Sequence, residues 1–468
     1  MMTRIIRYLL LLVALTFVFD GAAQESEQMR GQHKVKRKET IFGIAKMYEI
    51  TIDELINANP EMRVPGYELK KGDVINIPFA SKKVAESADG QTATVGQTAA
   101  SSSGQSATAP QPANDVRQRE IRVGVMLPLH NTNGDGKRMV EYYRGILMAC
   151  DSLKKTGLSI DVHAWNAAED ADMSPILADP AAAKCDIIFG PLYSKQMQVL
   201  SDFVSAHDIR LVIPFSINAP QLLTNRNIFQ IWQSPTNIND ATIVHYLEKF
   251  KDYHPVFVDC NDTTSKKGIF TFGLRRQLEG RGIEYSVTNL KSSEDAFSKA
   301  FSRTKPNVVI LNTGRSPELG VAFAKINGLT FNNPSLEITM FGYTEWLMYT
   351  RTHSENFYKY NAYIPSHFHY NPLSSQTERL EQLYRRNFHS DMQNALPRFA
   401  LTGFDHAYFF LKGLHKYGKE FNGAAGMFGY PPVQTPLVFE RMGNGGLQNH
   451  SLLFVHYTPE HRVETIRF

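Results

Sequence analysis

The chain has 468 residues, 50 Lys+Arg against 46 Asp+Glu, 43% hydrophobic residues and 3 cysteines. At roughly 150 residues per domain this leaves room for about three units with a sizeable core, so whole-chain disorder is excluded. A formal net charge of +4 makes no concentrated basic field, and no Lys/Arg stripe interleaved with aromatics occurs, which argues against nucleic acid as a partner.

Arg4 and Arg7 precede an apolar run from Tyr8 to Phe19, and small residues follow at Gly21 and Ala23. This layout predicts a cleaved secretory signal over residues 1–23. The run breaks at Asp20, short of the roughly 20 apolar residues that span a bilayer. No later stretch is long and apolar enough to cross a membrane, and no cysteine stands near the cut to carry a lipid. The expected location is the periplasm. Cys150, Cys185 and Cys260 are far apart with no CxxC pair, which predicts three buried thiols rather than a disulfide or structural-metal framework.

Between Ser81 and Gln118 the composition shifts to Ser, Ala, Thr, Gly and Gln, without Leu, Ile or aromatic residues. Such a segment has too little to bury to offset its ordering entropy, so 81–118 reads as a flexible linker. It separates a small module, 33–79, from a large one, 120–468.

In the small module a short strand at Lys34 to Val35 is followed by Thr40, placed to cap a helix running through Ile44, Ala45 and Tyr48. Thr51 and Glu54 have capping-box spacing for a second helix, whose apolar face is Leu55 and Ile56 and which Asn59-Pro60 ends. Leu69 to Asp73 makes a turn and Val74 to Ile77 returns as a strand. The order is strand, helix, helix, strand. The stretches ETIFGIAKMY, DELINANP and LKKGDVINIP resemble the three signature stretches of the LysM domain, in order and spacing. That resemblance implies binding of N-acetylglucosamine-containing glycan, here peptidoglycan, in a shallow groove formed by Glu39, Thr40, Ile41, Asn57, Asn59 and Pro60. A neutral acetylated sugar needs amide and backbone hydrogen bonds over an apolar floor, which this set supplies. Thr40 and Asn59 equally suit plain helix caps.

The large module alternates apolar runs with amphipathic helices. Ile121 to Leu127, Ile187 to Phe189, Leu211 to Ile213, Val256 to Val258 and Val308 to Leu311 read as strands buried on both faces. Helices are expected at Met139 to Leu153, Ser194 to Ala206, Asn237 to Phe250, Gly268 to Glu279 and Pro317 to Ile326. This is a doubly wound α/β pattern, and its length predicts two such sheets facing one cleft.

The stretches RVGVMLPL, DIIFGPLYSKQMQVLSDFVSAHDIRLVIPFS, NIFQIWQSPTNINDATIVHYL and PRFALTGFDHAYFFLKGL resemble successive signatures of type I periplasmic-binding proteins, especially the branched-chain amino-acid receptor group. The resemblance places a first crossover between lobes at Trp232 to Asn237 and a closing strand at Leu452 to Tyr457. Helix N-termini at the strand ends suit a ligand carboxylate. Tyr193 and Ser194, which follow a strand and open a helix, and Ser216 and Asn218, after the next strand, stand where the family contacts its ligand. Tyr343 and Glu345 lie close to where the family sets an acid against the ligand ammonium. Ser194 also suits a plain cap, and Glu345 a solvated loop acid. One wall departs from the family: after Val258 the chain runs Asp259-Cys260-Asn261-Asp262 to Lys267-Gly268, without the usual aromatic-glycine pair.

No HExxH, GxSxG or Walker-type glycine loop is present, so no catalytic residue, metal or cofactor is expected. His367 and His369 are spaced to share a strand face but lack an evident third ligand. Phe404 to Phe410 has helical spacing and reads as core. The expectation is a non-enzymatic periplasmic protein that binds peptidoglycan through one module and a small solute, such as an amino acid, or a partner protein through the other. The alternatives are the receptor of an ABC permease and a regulator of a cell-wall enzyme.

Overall fold

The computed structural model describes residues 29–36, 44–45, 47–48, 50, 52–63, 69–78, 115–215, 218–427, 429 and 431–468. The expected signal, most of the linker, and the site candidates Glu39, Thr40, Ile41 and Ser216 lie outside these residues. The chain forms two compact units that divide between Ser106 and Ala107.

In the first unit, β1 (Met29–Lys34) pairs antiparallel with β2 (Val74–Pro78), with Gln32 opposite Asn76. Between them lie helical residues at Ile44, Ala45 and Met47, α1 (Ile52–Asn57) and a 3-10 turn, Pro60–Arg63. Apolar side chains from α1, the 3-10 turn, β2 and the stretches between β1 and α1, among them Ile44, Leu55, Ile75 and Ile77, close a small core. The return turn at Lys70–Asp73 needs Gly72, whose φ of +102° disfavours other residues, and Asp73 accepts a hydrogen bond from the Lys70 N–H at 2.8 Å.

The second unit opens with lobe 1: β3 (Ile121–Leu127), α2 (Gly134–Lys154), β4 (Ile160–Asn166), β5 (Ile187–Phe189), α3 (Met197–His207), β6 (Arg210–Ile213) and β7 (Ile228–Gln230). The chain then crosses to lobe 2: α4 (Pro235–Lys249), β8 (His254–Asp259), α5 (Gly268–Gly280), β9 (Ser286–Asn289), β10 (Asn307–Leu311), α6 (Ser316–Asn332), β11 (Ile338–Phe341), α7 (Thr350–Lys359) and β12 (Tyr363–Ser366). It returns to lobe 1 with α8 (Ser375–Phe388), α9 (Phe399–Tyr417), β13 (Phe439–Arg441) and β14 (Leu447–Asn449), and ends in lobe 2 with β15 (Leu453–Tyr457) and β16 (Val463–Arg467). The two seven-stranded sheets run β13-β14-β7-β6-β5-β3-β4 and β16-β15-β12-β11-β10-β8-β9, with parallel central strands. Three crossovers therefore join the lobes, and the first falls where the sequence places it.

The predicted strands all form, because their continuous apolar runs are buried between helix layers. Strand β4 escapes notice because, after the buried Ile160, its side chains are part-buried or exposed at the sheet edge. The last four linker residues depart from expectation. Val116 is buried in the lobe 1 core and Arg117 pairs with Asp115 at 2.6 Å, so residues 115–118 pack as part of the globular unit. Lobe 1 is further closed by α2 against α9, which approach through their backbones. A Cβ at Gly145 would lie 1.9 Å from the Ala400 carbonyl oxygen, and one at Gly403 would lie 2.0 Å from that of Tyr142.

Candidate functional site

In the small unit the glycan candidates separate into two kinds. Asn57 and Pro60 are exposed. Asn59 is fully buried: its amide donates to the carbonyls of Leu55 and Asn76, each at 2.7 Å, and its side-chain oxygen accepts from the Asn76 N–H at 2.7 Å. Both donors of Asn59 tie the end of α1 to β2, leaving none for a sugar; its place is that of an internal brace.

In lobe 1, β5 and β6 are neighbours, so the loops after them emerge side by side. Gly190 at the end of β5 has φ +142°, and a Cβ there would meet the Met126 carbonyl oxygen at 2.2 Å. This close approach sets the start of the loop. Tyr193 is half-buried and donates to Asp135 at 3.3 Å; burial, and then the Asp135 charge, push its hydroxyl pKa up to about 12. Ser194 is exposed and begins a short 3-10 turn, Ser194–Gln196, that runs into α3. Asn218 is exposed.

In lobe 2 the candidates are engaged by their own lobe. Tyr343 is buried and donates to the Leu311 carbonyl at 2.6 Å, and burial raises its pKa well above the ordinary tyrosine value. Glu345 accepts from Lys267 Nζ at 2.5 Å, and the same ammonium lies 4.6 Å from the centre of the Tyr343 ring. Glu345 is thus a partly exposed acid that already has a cationic partner in its own lobe. Its partner stands at the place where the sequence departs from the family. The rest of that loop is self-satisfied: Asp262 accepts from Thr264 Oγ1 at 2.7 Å and Thr313 Oγ1 at 2.8 Å, and these bonds lower its pKa.

The ion pair edges a cavity of about 370 Å³ at the lobe junction, whose apolar walls include Trp232, Ile238, Phe270, Met348, Phe368 and Leu396. Crossover contacts frame it. Gln233 donates to the Ser451 carbonyl at 2.7 Å, tying the first crossover to the third, and the His369 N–H donates to the Gln434 carbonyl at 2.9 Å. Behind them, the fully buried Asp405 accepts from the N–H groups of Val433, Gln434 and Thr435, each at 2.8 Å. Burial lowers the pKa of His367 and His369 to about 4.

Sequence reasoning missed Lys267, Trp232, His367 and Asp405 as a set. Only the altered stretch before Gly268 marked Lys267, and pairing across 78 residues carries no local signature. Among the described residues no group of three His, Cys, Asp or Glu could hold a metal, and no helix is long and apolar enough to cross a membrane. The three thiols are buried, each pushed up to a pKa of about 12 by desolvation.

With these sites described, the comparisons define the class. Residues 33–78 match the LysM domain model, so the small unit is a LysM domain. The two-lobed unit has the fold of type I periplasmic-binding proteins. It is similar to the structure of a putative branched-chain amino acid ABC transporter from Rhodospirillum rubrum, at 14% identity and TM-score 0.52 over 74% of this chain and 100% of that one. Weaker likenesses include full-length LpoA from Haemophilus influenzae (13% identity, TM-score 0.48, 75% of this chain and 60% of that one). Another is LivJ from Streptococcus pneumoniae in complex with isoleucine (14% identity, TM-score 0.39, 75% and 100%). A search of curated proteins finds no match.

Proposed function

We propose that the chain is an exported, non-enzymatic periplasmic protein that holds peptidoglycan through its LysM domain and presents the two-lobed unit as a tethered binder of a small solute or partner. The observation that carries this reading is the LysM match over residues 33–78 together with the packed core of that unit. Asn57 and Pro60, exposed at the end of α1, are the described residues proposed to face the glycan, with Glu39, Thr40 and Ile41 completing the groove. The N-terminal charge and apolar pattern supports cleavage of residues 1–23 and export.

Sedimentation with purified sacculi tests the anchor. The chain should pellet with sacculi and be released by soluble chitooligosaccharide, and failure to pellet would falsify the anchoring. The permease-receptor reading draws on fold likeness, against which stands the engagement of Glu345 by Lys267. A rise in Tm with leucine, measured by thermal shift, would restore it.

A further inference from the structure

Two charged side chains line the junction cavity among the described residues, and they neutralise each other: Lys267 and Glu345 at 2.5 Å. Each charge already has an opposite partner, so a ligand ion gains less from it than it would from an unpaired group. An uncharged amide or hydroxyl brings no charge to desolvate and meets a donor and an acceptor side by side.

The other polar groups of the lining have the same dual character. Asn239 contributes an amide, while Thr242 and His367 lie in the wall with the threonine hydroxyl and both ring nitrogens buried and without a hydrogen-bond partner among the described residues. A buried polar group without a partner costs free energy, which a ligand group that reaches it recovers. His367 is neutral at pH 7, so its ring carries one donor and one acceptor, as does the hydroxyl of Thr242. Gln233 and Thr344 are bonded to the Ser451 and Pro365 carbonyls, and the apolar wall comes from both lobes, with Trp232 at the first crossover, Phe270 and Met348 in lobe 2, and Leu396 in lobe 1. At about 370 Å³ the cavity falls in the size range of small-molecule sites, about 300–1,000 Å³.

We propose that this cavity binds an uncharged small molecule with an apolar body and one amide or hydroxyl group, in preference to a free amino acid. The proposal deepens, and rests on, the reading of the two-lobed unit as a binder.

The test titrates the full chain with 3-phenylpropanamide, 3-phenylpropanoate, 3-phenylpropylamine and L-phenylalanine, one apolar body in neutral, anionic, cationic and zwitterionic form. Calorimetry gives affinity and tryptophan fluorescence reports on Trp232. The amide should bind about ten-fold more tightly than the other three. Glu345→Gln should move preference toward the propanoate, and Lys267→Met toward the amine, each by about ten-fold. Thr242→Val should weaken the amide by about five-fold with an unchanged circular dichroism spectrum. Tighter binding of the amine or of phenylalanine than of the amide, or no binding of any probe at millimolar concentration, overturns the proposal. A charged probe that binds in place of the amide removes the ligand class and leaves the binder reading standing. Sedimentation on sacculi reports on the LysM domain, and its failure leaves the titration result intact.

Discussion

The two lobes share one plan yet turn different chemistry toward the cleft. Each is a seven-stranded sheet with parallel central strands. At the strand ends of lobe 1, Ser194 and Asn218 are exposed. At those of lobe 2, Glu345 is paired with Lys267, Tyr343 is bonded to the Leu311 carbonyl, and Asp262 is bonded to Thr264 and Thr313. The apolar runs that make a doubly wound sheet constrain strand interiors and leave the chemistry of the loops to vary, so a shared fold carries no shared ligand.

The lobes also differ in how their helices pack, and the largest expected effect breaks that contrast. Gly145→Leu should lower stability by about 3 kcal/mol or more, because α2 and α9 of lobe 1 meet backbone to backbone and leave no room for a side chain. Gly328→Ala, in α6 of lobe 2, faces open space and should raise stability by about 0.5–1 kcal/mol. Thermal unfolding measures both, and equal effects would erase the distinction.

At the crossover between the lobes, His367 has a folded pKa of about 4 against an ordinary 6.5. Its contribution is fully present above pH 6.5 and is lost as pH falls from there toward 4, since only the unfolded chain takes up the proton. The loss should reach about 3 kcal/mol at pH 4. His367→Phe should flatten the stability curve between those pH values in urea titrations, and an unchanged slope would contradict the burial.

In the LysM domain, Asn59→Ala should cost about 2 kcal/mol by removing the brace between α1 and β2, with sacculus retention falling alongside. Asn57→Ala, at an exposed position, should weaken retention without lowering the Tm. The smallest effect sharpens the comparison of cleft faces. Lys267→Met should change stability by less than about 1 kcal/mol, because the Glu345 side chain is 43% exposed and solvent screens the pair. A larger loss would make the pair structural.

Much of the architecture was legible because burial on both faces writes continuous apolar runs, as at Ile187–Phe189, and turn residues such as Gly72 mark their own geometry. The edge strand β4 was not, since part-exposed positions interrupt its apolar signal. The site was less legible still. Tyr343 and Glu345 could be named from their place after a strand, yet whether they stand open depended on Lys267, delivered by a different loop.

By itself the sequence determined the two-unit organisation, the LysM pattern and the paired α/β sheets, because hydrophobic periodicity and turn chemistry act over short spans of chain. Tertiary structure alone decided that Asn59 is a brace, that Glu345 is neutralised, and that Trp232, Phe270 and His367 wall one cavity. Those outcomes depend on which distant side chains come within a few ångströms of each other, and local sequence carries no record of that distance.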